Sequence, residues 1–246
     1  MIFVIVLIIT AVRIKSMDSH RISGRILAEN IAGPGMLRLV EQSMQARARK
    51  TSVTEIAVKE RKHPQAALTF DDGPDIRYTP LLLDGLKERN VRVSFFLLGE
   101  KVEQYPELVE RMQKEGHLVG NHTYHHVQLD KLNETKAREE ILKTNNLIYE
   151  TTGVYPLYLR PPFGAWKKNL ELCVEMLPVF WTIDTLDWKV KNTEKIVRTV
   201  KEQIEDGAII LMHDEYDTSV EAALQVADEL KNQGYELVTV DQLILP

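Results

Sequence analysis

The sequence contains a single cysteine, Cys173, in 246 residues. An internal disulfide framework is therefore excluded, and so is a zinc site built from several cysteines. A bound metal would have to be held by histidine and carboxylate side chains. Cys173 lies among apolar neighbours such as Leu172 and Val174, which is typical of a small buried hydrophobic residue.

An excess of positive charge is also missing. Lys and Arg number 31 against 36 Asp and Glu, which gives a formal net charge of −5. Because phosphate backbones favour a basic protein face, this balance argues against nucleic acid as a partner. A neutral sugar polymer is compatible with it. Apolar residues make up 44% of the chain, which is enough to bury a core and argues against global disorder.

A hydrophobic run occupies residues 1–12 and is followed by Arg13 and Lys15. A bilayer span needs about 20 apolar residues, whereas the core of a secretory signal needs roughly 7 to 15. We interpret residues 1–16 as a signal or anchor segment. This predicts an exported protein of the cell envelope or the extracellular space, with or without membrane attachment through the segment. The alternative is a hydrophobic first strand or helix of the domain.

Residues 17–63 have a different pattern from the rest of the chain. Their apolar spacing predicts two short amphipathic helices on either side of Gly33-Pro34-Gly35, and their second half is rich in Arg and Lys. We interpret this stretch as an N-terminal extension or a solvated linker; contact with an anionic surface is the alternative. A separate domain is then predicted over residues 64–246.

From residue 65 onward, short apolar runs alternate with segments of helical period. Strands are predicted over residues 66–70, 91–97, 118–120, 155–159, 178–183, 208–212 and 236–240. Helices are predicted between them, over residues 80–89, 106–115, 134–151, 168–176, 194–205 and 219–233. This alternation predicts an α/β fold with a parallel sheet. About seven strand–helix units of this length indicate a barrel, in which the chemistry follows the carboxyl ends of the strands.

Polar clusters do follow these strands. The first is the carboxylate pair Asp71-Asp72, and the next contains His122 and His126. Histidines four residues apart share one face of a helical turn and can bind one ion. A pairing of His122 with His125 stays open. Two histidines and one carboxylate with open positions are typical of a hydrolytic metal site.

The remaining clusters carry groups that suit acid–base chemistry. Arg160 lies on a stiff backbone before two prolines and can orient a carboxylate. The rigid turn leaves a backbone N–H, such as that of Phe163, to face an oxyanion. His213 follows a strand, and a carboxylate from a neighbouring loop would raise its pKa and let it act as a general acid.

Together these clusters resemble the motifs of a known family. They read TFDDGP over residues 69–74, HTYHH over 122–126, RPPFG over 160–164, DTLDW over 184–188 and LMH over 211–213. In order and spacing they are similar to the polysaccharide deacetylases, the nodulation-type deacetylase domain of carbohydrate esterase family four. The resemblance covers residues 66–246 and implies a distorted (β/α) barrel.

The resemblance also implies an activity. It is that of a metal-dependent hydrolase removing N-acetyl groups from an N-acetylated polysaccharide, peptidoglycan or chitin-like. The alternatives are an O-acetyl esterase acting on acetylated xylan, a glycan-binding module without turnover, and a metal that only stabilises the fold. The ligand set indicates Zn²⁺, with Co²⁺, Ni²⁺ and Mn²⁺ as alternatives.

The resemblance assigns roles to individual residues of this sequence. Asp72, His122 and His126 are the implied metal ligands. Asp71 is the implied general base, held in place by Arg160.

A second group of residues is implied to act on the leaving amine and the acetyl group. His213 is the implied general acid, oriented by Asp187. The backbone N–H of Phe163 is implied to stabilise the oxyanion. Trp188 and Leu211 are implied to form an apolar pocket for the acetyl methyl group.

Overall fold

The computed structural model describes residues 63–166 and 176–244. The predicted signal or anchor segment and nearly all of the predicted linker lie outside these residues, as does most of the helix predicted over residues 168–176. The domain boundary near residue 63 therefore stays a prediction. In the described part of the chain, no helix is long and apolar enough to cross a membrane.

One sheet of parallel strands forms the centre of the domain. Its strands are β1 (Gln65–Asp71), β2 (Ser94–Leu97), β3 (Leu118–Asn121), β4 (Tyr158–Leu159), β5 (Leu177–Pro178), β6 (Ile183–Asp184), β7 (Ala208–His213) and β8 (Glu236–Leu237). Their order is β5-β4-β3-β2-β1-β7-β6, and β8 pairs with the start of β1. No ladder joins β5 to β6 within the described residues. The predicted distorted barrel is thus confirmed.

Helices connect the strands. They are α1 (Tyr78–Glu88), α2 (Gly99–Gln104), α3 (Pro106–Lys114), α4 (Glu134–Thr152), α5 (Asp187–Val190), α6 (Thr193–Gln203), α7 (Asp217–Asn232) and α8 (Val240–Ile244). Single 3₁₀ turns occur at Leu129–Lys131 and Pro162–Gly164. The longest helix of the described residues, α4, is capped at its start by Asn133, whose side chain accepts from the backbone N–H of Lys136, and at its end by Gly153 in the left-handed region.

Two strand predictions need correction. The run at residues 178–183 is not one strand: its ends belong to β5 and β6, which lie at opposite ends of the strand order. A continuous apolar run gives no sign of such a break, since periodicity reports only local burial. The last predicted strand, 236–240, stops at Leu237, and α8 begins at Val240. The short helices α2, α5 and α8 were not predicted.

The hydrophobic core explains the pattern of the central strand. Every residue of β1 after Gln65 is buried, as expected for a parallel strand covered on both faces. Leu68 and Phe70 of β1 pack with Leu82 of α1 and Val226 of α7 in the main core cluster. Because β1 lies between β2 and β7 in register, its last residue, Asp71, is placed opposite His213.

Candidate metal centre and acid–base groups

The parallel sheet brings the five polar clusters of the sequence to one edge. The clusters follow β1, β3, β4, β6 and β7, and the carboxyl ends of parallel strands share an edge. The order of the strands in the sheet, rather than their order in the chain, therefore decides which clusters are neighbours.

Three side chains form a group of metal donors at this edge. Asp72, His122 and His126 each offer one ligand atom, and these atoms lie within 4.8 Å of one another. Asp72 Oδ1 is 3.4 Å from the Nε2 of His122 and 3.4 Å from that of His126. The same oxygen is buried and has no hydrogen-bond partner among the described residues. A buried oxygen without a donor fits a cation ligand, so the set suits a divalent metal.

The surroundings keep both histidines ready to ligate. His122 Nδ1 lies 2.6 Å from the carbonyl oxygen of Arg160. Since a carbonyl only accepts, Nδ1 carries the proton and Nε2 is left with a free lone pair. Burial, together with the nearby His122, lowers the pKa of His126 and favours its neutral form. Burial raises the pKa of Asp72, but the three histidines around it hold that pKa well below its usual range.

The histidines converge in a loop rather than on a helix. Residues 122–128 form no helical turn, and Thr123 and His126 have φ values of 67° and 55°. The prediction that both histidines face one ion agrees with this geometry. The reason given for it, a shared face of a helical turn, is wrong. The loop is held by Asn121, whose side chain accepts from the N–H of Thr123 and donates to Asn145 of α4.

His125 does not belong to the donor group. Its Nδ1 lies 2.7 Å from Glu140 Oε1, and its side chain is 58% exposed. The loop therefore brings His122 together with His126, and the alternative pairing of His122 with His125 is not formed.

Asp71 is held by a buried arginine beside the metal donors. Arg160 Nη1 donates to Asp71 Oδ1 at 2.8 Å and to Thr69 Oγ1 at 2.6 Å. The other oxygen, Asp71 Oδ2, lies 3.7 Å from His122 Nε2. Arg160 is completely buried with its guanidinium over the ring of Phe96. Burial lowers the pKa of Arg160, and the charge of Asp71 opposes that effect.

His213 and Asp187 form the second acid–base pair. His213 Nδ1 lies 2.8 Å from Asp187 Oδ1, and Asp187 is fully buried at the start of α5. Burial lowers the pKa of His213, but the bond and charge of Asp187, together with Asp71 and Asp72, raise it to about 9. In the metal-free chain the imidazole is therefore protonated at neutral pH, and it can donate a proton from Nε2.

The three residues predicted to contact the acetyl group lie on separate elements. Phe163 has φ 59° in the turn after β4, and its ring centroid is 4.6 Å from that of His126. Trp188 lies on α5 and is 48% exposed, whereas Leu211 lies in β7 and is buried. Their roles stay predictions. Asp184 accepts the backbone N–H of Leu186 at 2.9 Å and so braces the loop after β6.

Two buried residues were not assigned a role from the sequence. Thr69 accepts from Arg160 and donates to the carbonyl of Ile210. Asp214 accepts a hydrogen bond from Thr79 Oγ1, and burial raises the pKa of Asp214 to about 7. A Cβ atom at Gly73 would lie 2.6 Å from Asp214 Oδ1, so any larger residue there would have to displace the Asp214 side chain. The contacts of Thr69 and of Asp214 join segments that lie far apart in the chain, and a local sequence pattern does not show such contacts.

Comparison with known proteins identifies the family. The family model for polysaccharide deacetylases matches residues 58–180. The chain is 42% identical over 185 residues to a peptidoglycan-N-acetylglucosamine deacetylase, PgdA, of Listeria monocytogenes, covering 75% of this chain and 40% of that protein. It is 40% identical over 186 residues to a peptidoglycan-N-acetylglucosamine deacetylase of Bacillus cereus, covering 73% and 68%.

The fold agrees with these relatives. The structure of the peptidoglycan deacetylase PdaC from Bacillus subtilis has a TM-score of 0.72 and 42% identity, covering 74% of this chain and 91% of that one. The chain therefore belongs to the polysaccharide deacetylase family. It spans about 40% of the length of the Listeria relative.

Proposed function

We propose that this chain is a metal-dependent polysaccharide N-deacetylase whose substrate is peptidoglycan. The observation that carries the proposal is the position of the Asp72, His122 and His126 donors between two acid–base pairs. The Listeria and Bacillus cereus relatives act, by their names, on peptidoglycan N-acetylglucosamine, and PdaC is named a peptidoglycan deacetylase, which supports the substrate class.

Asp72, His122 and His126 would hold the cation. When bound, a divalent ion lowers the pKa of water and polarises a carbonyl oxygen, and amide hydrolysis requires both effects. The donor set of two imidazoles and one carboxylate favours Zn²⁺, and Co²⁺, Ni²⁺ and Mn²⁺ accept similar ligands.

Asp71 acts as the general base in this proposal. The bond from Arg160 occupies its Oδ1, which leaves Oδ2, on the side of His122, to accept a proton from the attacking water. Arg160 also fixes the rotation of the carboxylate, since its guanidinium is itself held by Thr69.

His213 acts as the general acid. Asp187 accepts from Nδ1 and so directs Nε2 toward the donors, where it lies 3.9 Å from Asp72 Oδ2. The proton on Nε2 is given to the amide nitrogen as the C–N bond breaks, and the products are acetate and the amine. The backbone N–H of Phe163 would stabilise the oxyanion, and Trp188 and Leu211 would enclose the acetyl methyl group.

Acetate release tests the proposal. The chain is incubated with peptidoglycan, chitin oligosaccharides and acetylated xylan, each with a chelator and then with zinc restored. Release from peptidoglycan that stops with chelation and returns with zinc is expected. Release from acetylated xylan alone would establish an O-acetyl esterase instead. No release from any substrate by the zinc-loaded chain would contradict the proposal and leave a binding role.

We also propose a location in the cell envelope. Peptidoglycan lies outside the cytoplasmic membrane, and residues 1–16 have the hydrophobicity of a signal or anchor segment. Fractionation tests this: the protein is expected with the membrane, the wall or the medium. Its recovery in the cytosolic fraction would contradict the proposed location.

A further inference from the structure

Two of the three residues between His122 and His126, namely Tyr124 and His125, are held by one carboxylate of another element. The backbone N–H groups of Tyr124 and His125 donate to Glu140 Oε2 at 3.0 and 2.9 Å. The other oxygen, Glu140 Oε1, lies 2.7 Å from His125 Nδ1. Glu140 belongs to α4 and its side chain is only 15% exposed.

Other contacts also hold the loop: Asn121 Oδ1 accepts from the N–H of Thr123, and the hydroxyl of Tyr124 donates to Glu103 of α2. The loop is not helical, and the left-handed residues Thr123 and His126 on either side of this pair interrupt regular backbone hydrogen bonding. The carbonyl oxygens of Thr123 and Tyr124 accept from the first residues of α2, Gly99 and Glu100. The loop is thus held through two carbonyls by α2, while α4 holds the N–H groups of Tyr124 and His125.

We propose that Glu140 is a positioning residue for the metal centre and sets the spacing of His122 and His126. Glu140 contacts neither histidine and acts through Tyr124 and His125, which lie between them. Hydrogen bonds from N–H groups to a carboxylate are stronger than those to neutral acceptors, so this side chain can hold the left-handed loop in one conformation. Without it the two imidazoles would have to be ordered when the cation binds, and that cost would weaken binding.

The test is the zinc dissociation constant of the intact chain and its variants, measured by competition with a chromogenic chelator. Glu140→Ala removes all three contacts and is expected to weaken zinc binding by about 10-fold or more. Glu140→Gln keeps a carbonyl oxygen for the two N–H groups but loses the charge. Its dissociation constant is therefore expected between those of the wild type and Glu140→Ala.

Two variants serve as matched controls. Glu139→Gln removes a carboxylate from the exposed neighbouring position of α4. His125→Ala removes only the side-chain contact with Glu140 and keeps both backbone bonds. Both are expected to bind zinc within about twofold of the wild type, because exposed charges contribute little.

A second readout separates positioning from general stability. The visible absorption of the Co²⁺-loaded chain reports the geometry of the ligands, and it is expected to change in Glu140→Ala and to stay unchanged in Glu139→Gln. The free energy of unfolding is measured with chelator present. A residue that only stabilises the fold would lower this free energy and leave the zinc dissociation constant and the Co²⁺ spectrum as in the wild type, which would overturn the inference.

The inference rests on the proposed metal site, and the two can fail separately. A wild-type chain that binds no zinc would contradict the proposed function. If the wild type and both Glu140 variants bind zinc equally tightly, the role of Glu140 is overturned and the proposed function is not affected. If Glu140→Ala does not fold, Glu140→Gln is compared with Glu139→Gln. Binding weaker by about threefold or more supports the inference, and equal binding overturns it.

Discussion

Asp187 holds His213 by two atoms: its Oδ1 lies 2.8 Å from the imidazole Nδ1, and its Oδ2 accepts the backbone N–H of the same histidine at 2.8 Å. One buried carboxylate thereby fixes both the position and the protonation of the imidazole. The carboxylate comes from the helix after β6 and the histidine from the end of β7, so the pair forms only when these two strands are adjacent.

Replacing Asp187 should shift the alkaline limit of activity. In Asp187→Asn the negative charge that raises the pKa of His213 is lost while the shape is kept, so this pKa falls. The imidazole then loses its proton at lower pH, and the alkaline limb of kcat/KM for acetate release should move to lower pH. An unchanged limb would mean that another group is the acid.

Zinc itself should lower the pKa of His213. Asp71 and Asp72 are among the charges that raise this pKa, and a cation held by Asp72 offsets them. The pKa followed by NMR of the imidazole is expected near 9 in the metal-free chain and lower in the zinc-loaded chain. In Asp187→Asn the pKa should already be lower before zinc is added. The same pKa with and without zinc would place the cation elsewhere.

Asp71→Asn should separate turnover from metal binding. The amide keeps the size of the side chain but cannot take a proton, so acetate release should fall by about 10²- to 10⁴-fold. Zinc content should stay at the wild-type level, because Asp72 and the histidines are unchanged. Measuring both on one preparation gives the control, and retained turnover would move the base to another residue.

His126→Ala should lose metal where His125→Ala does not. Only His126 belongs to the donor group, whereas His125 is paired with Glu140. Zinc content after dialysis against a weak chelator is the measurement. A fully metallated His126→Ala together with a depleted His125→Ala would reverse the assignment.

Asp214 should make the protein less stable as the pH rises. Burial raises the pKa of Asp214 and outweighs the hydrogen bond from Thr79, which lowers it, so that the pKa rises from 3.8 to about 7. The pKa of Asp214 is higher in the folded protein than in the unfolded chain, so the protonated carboxyl stabilises the fold. This contribution to the free energy of unfolding is fully present below pH 3.8 and is lost as the pH rises through about 7. Each unit of pKa difference is worth about 1.4 kcal/mol.

Asp214→Asn provides the comparison, since it cannot ionise. The free energy of unfolding of wild type and variant is measured by urea titration at several pH values. The wild type should lose stability relative to the variant between pH 3.8 and about 7. A constant difference over this range would mean that Asp214 titrates at its ordinary pKa.

The sequence by itself determined the alternation of strands and helices and the polar residues that follow each strand. These are local properties: burial on both faces makes β1 continuously apolar, and the polar clusters begin where that burial ends. The clusters that carry Asp71, Asp72, His122 and His126 could be found because each follows a predicted strand, while the roles of these residues came from the family resemblance and stay proposals.

Only the tertiary structure decided the contacts of Glu140 and Asp214, which no pattern in the sequence had indicated. Glu140 lies 15 residues from His125, and Asp214 lies 135 residues from Thr79, so neither contact leaves a periodic signal. The division of residues 178–183 between β5 and β6 also depends on pairing with strands that are distant in the chain. Hydrogen bonds between distant segments depend on the order and register of the strands, and those are set by packing of the whole sheet rather than by any one stretch of chain.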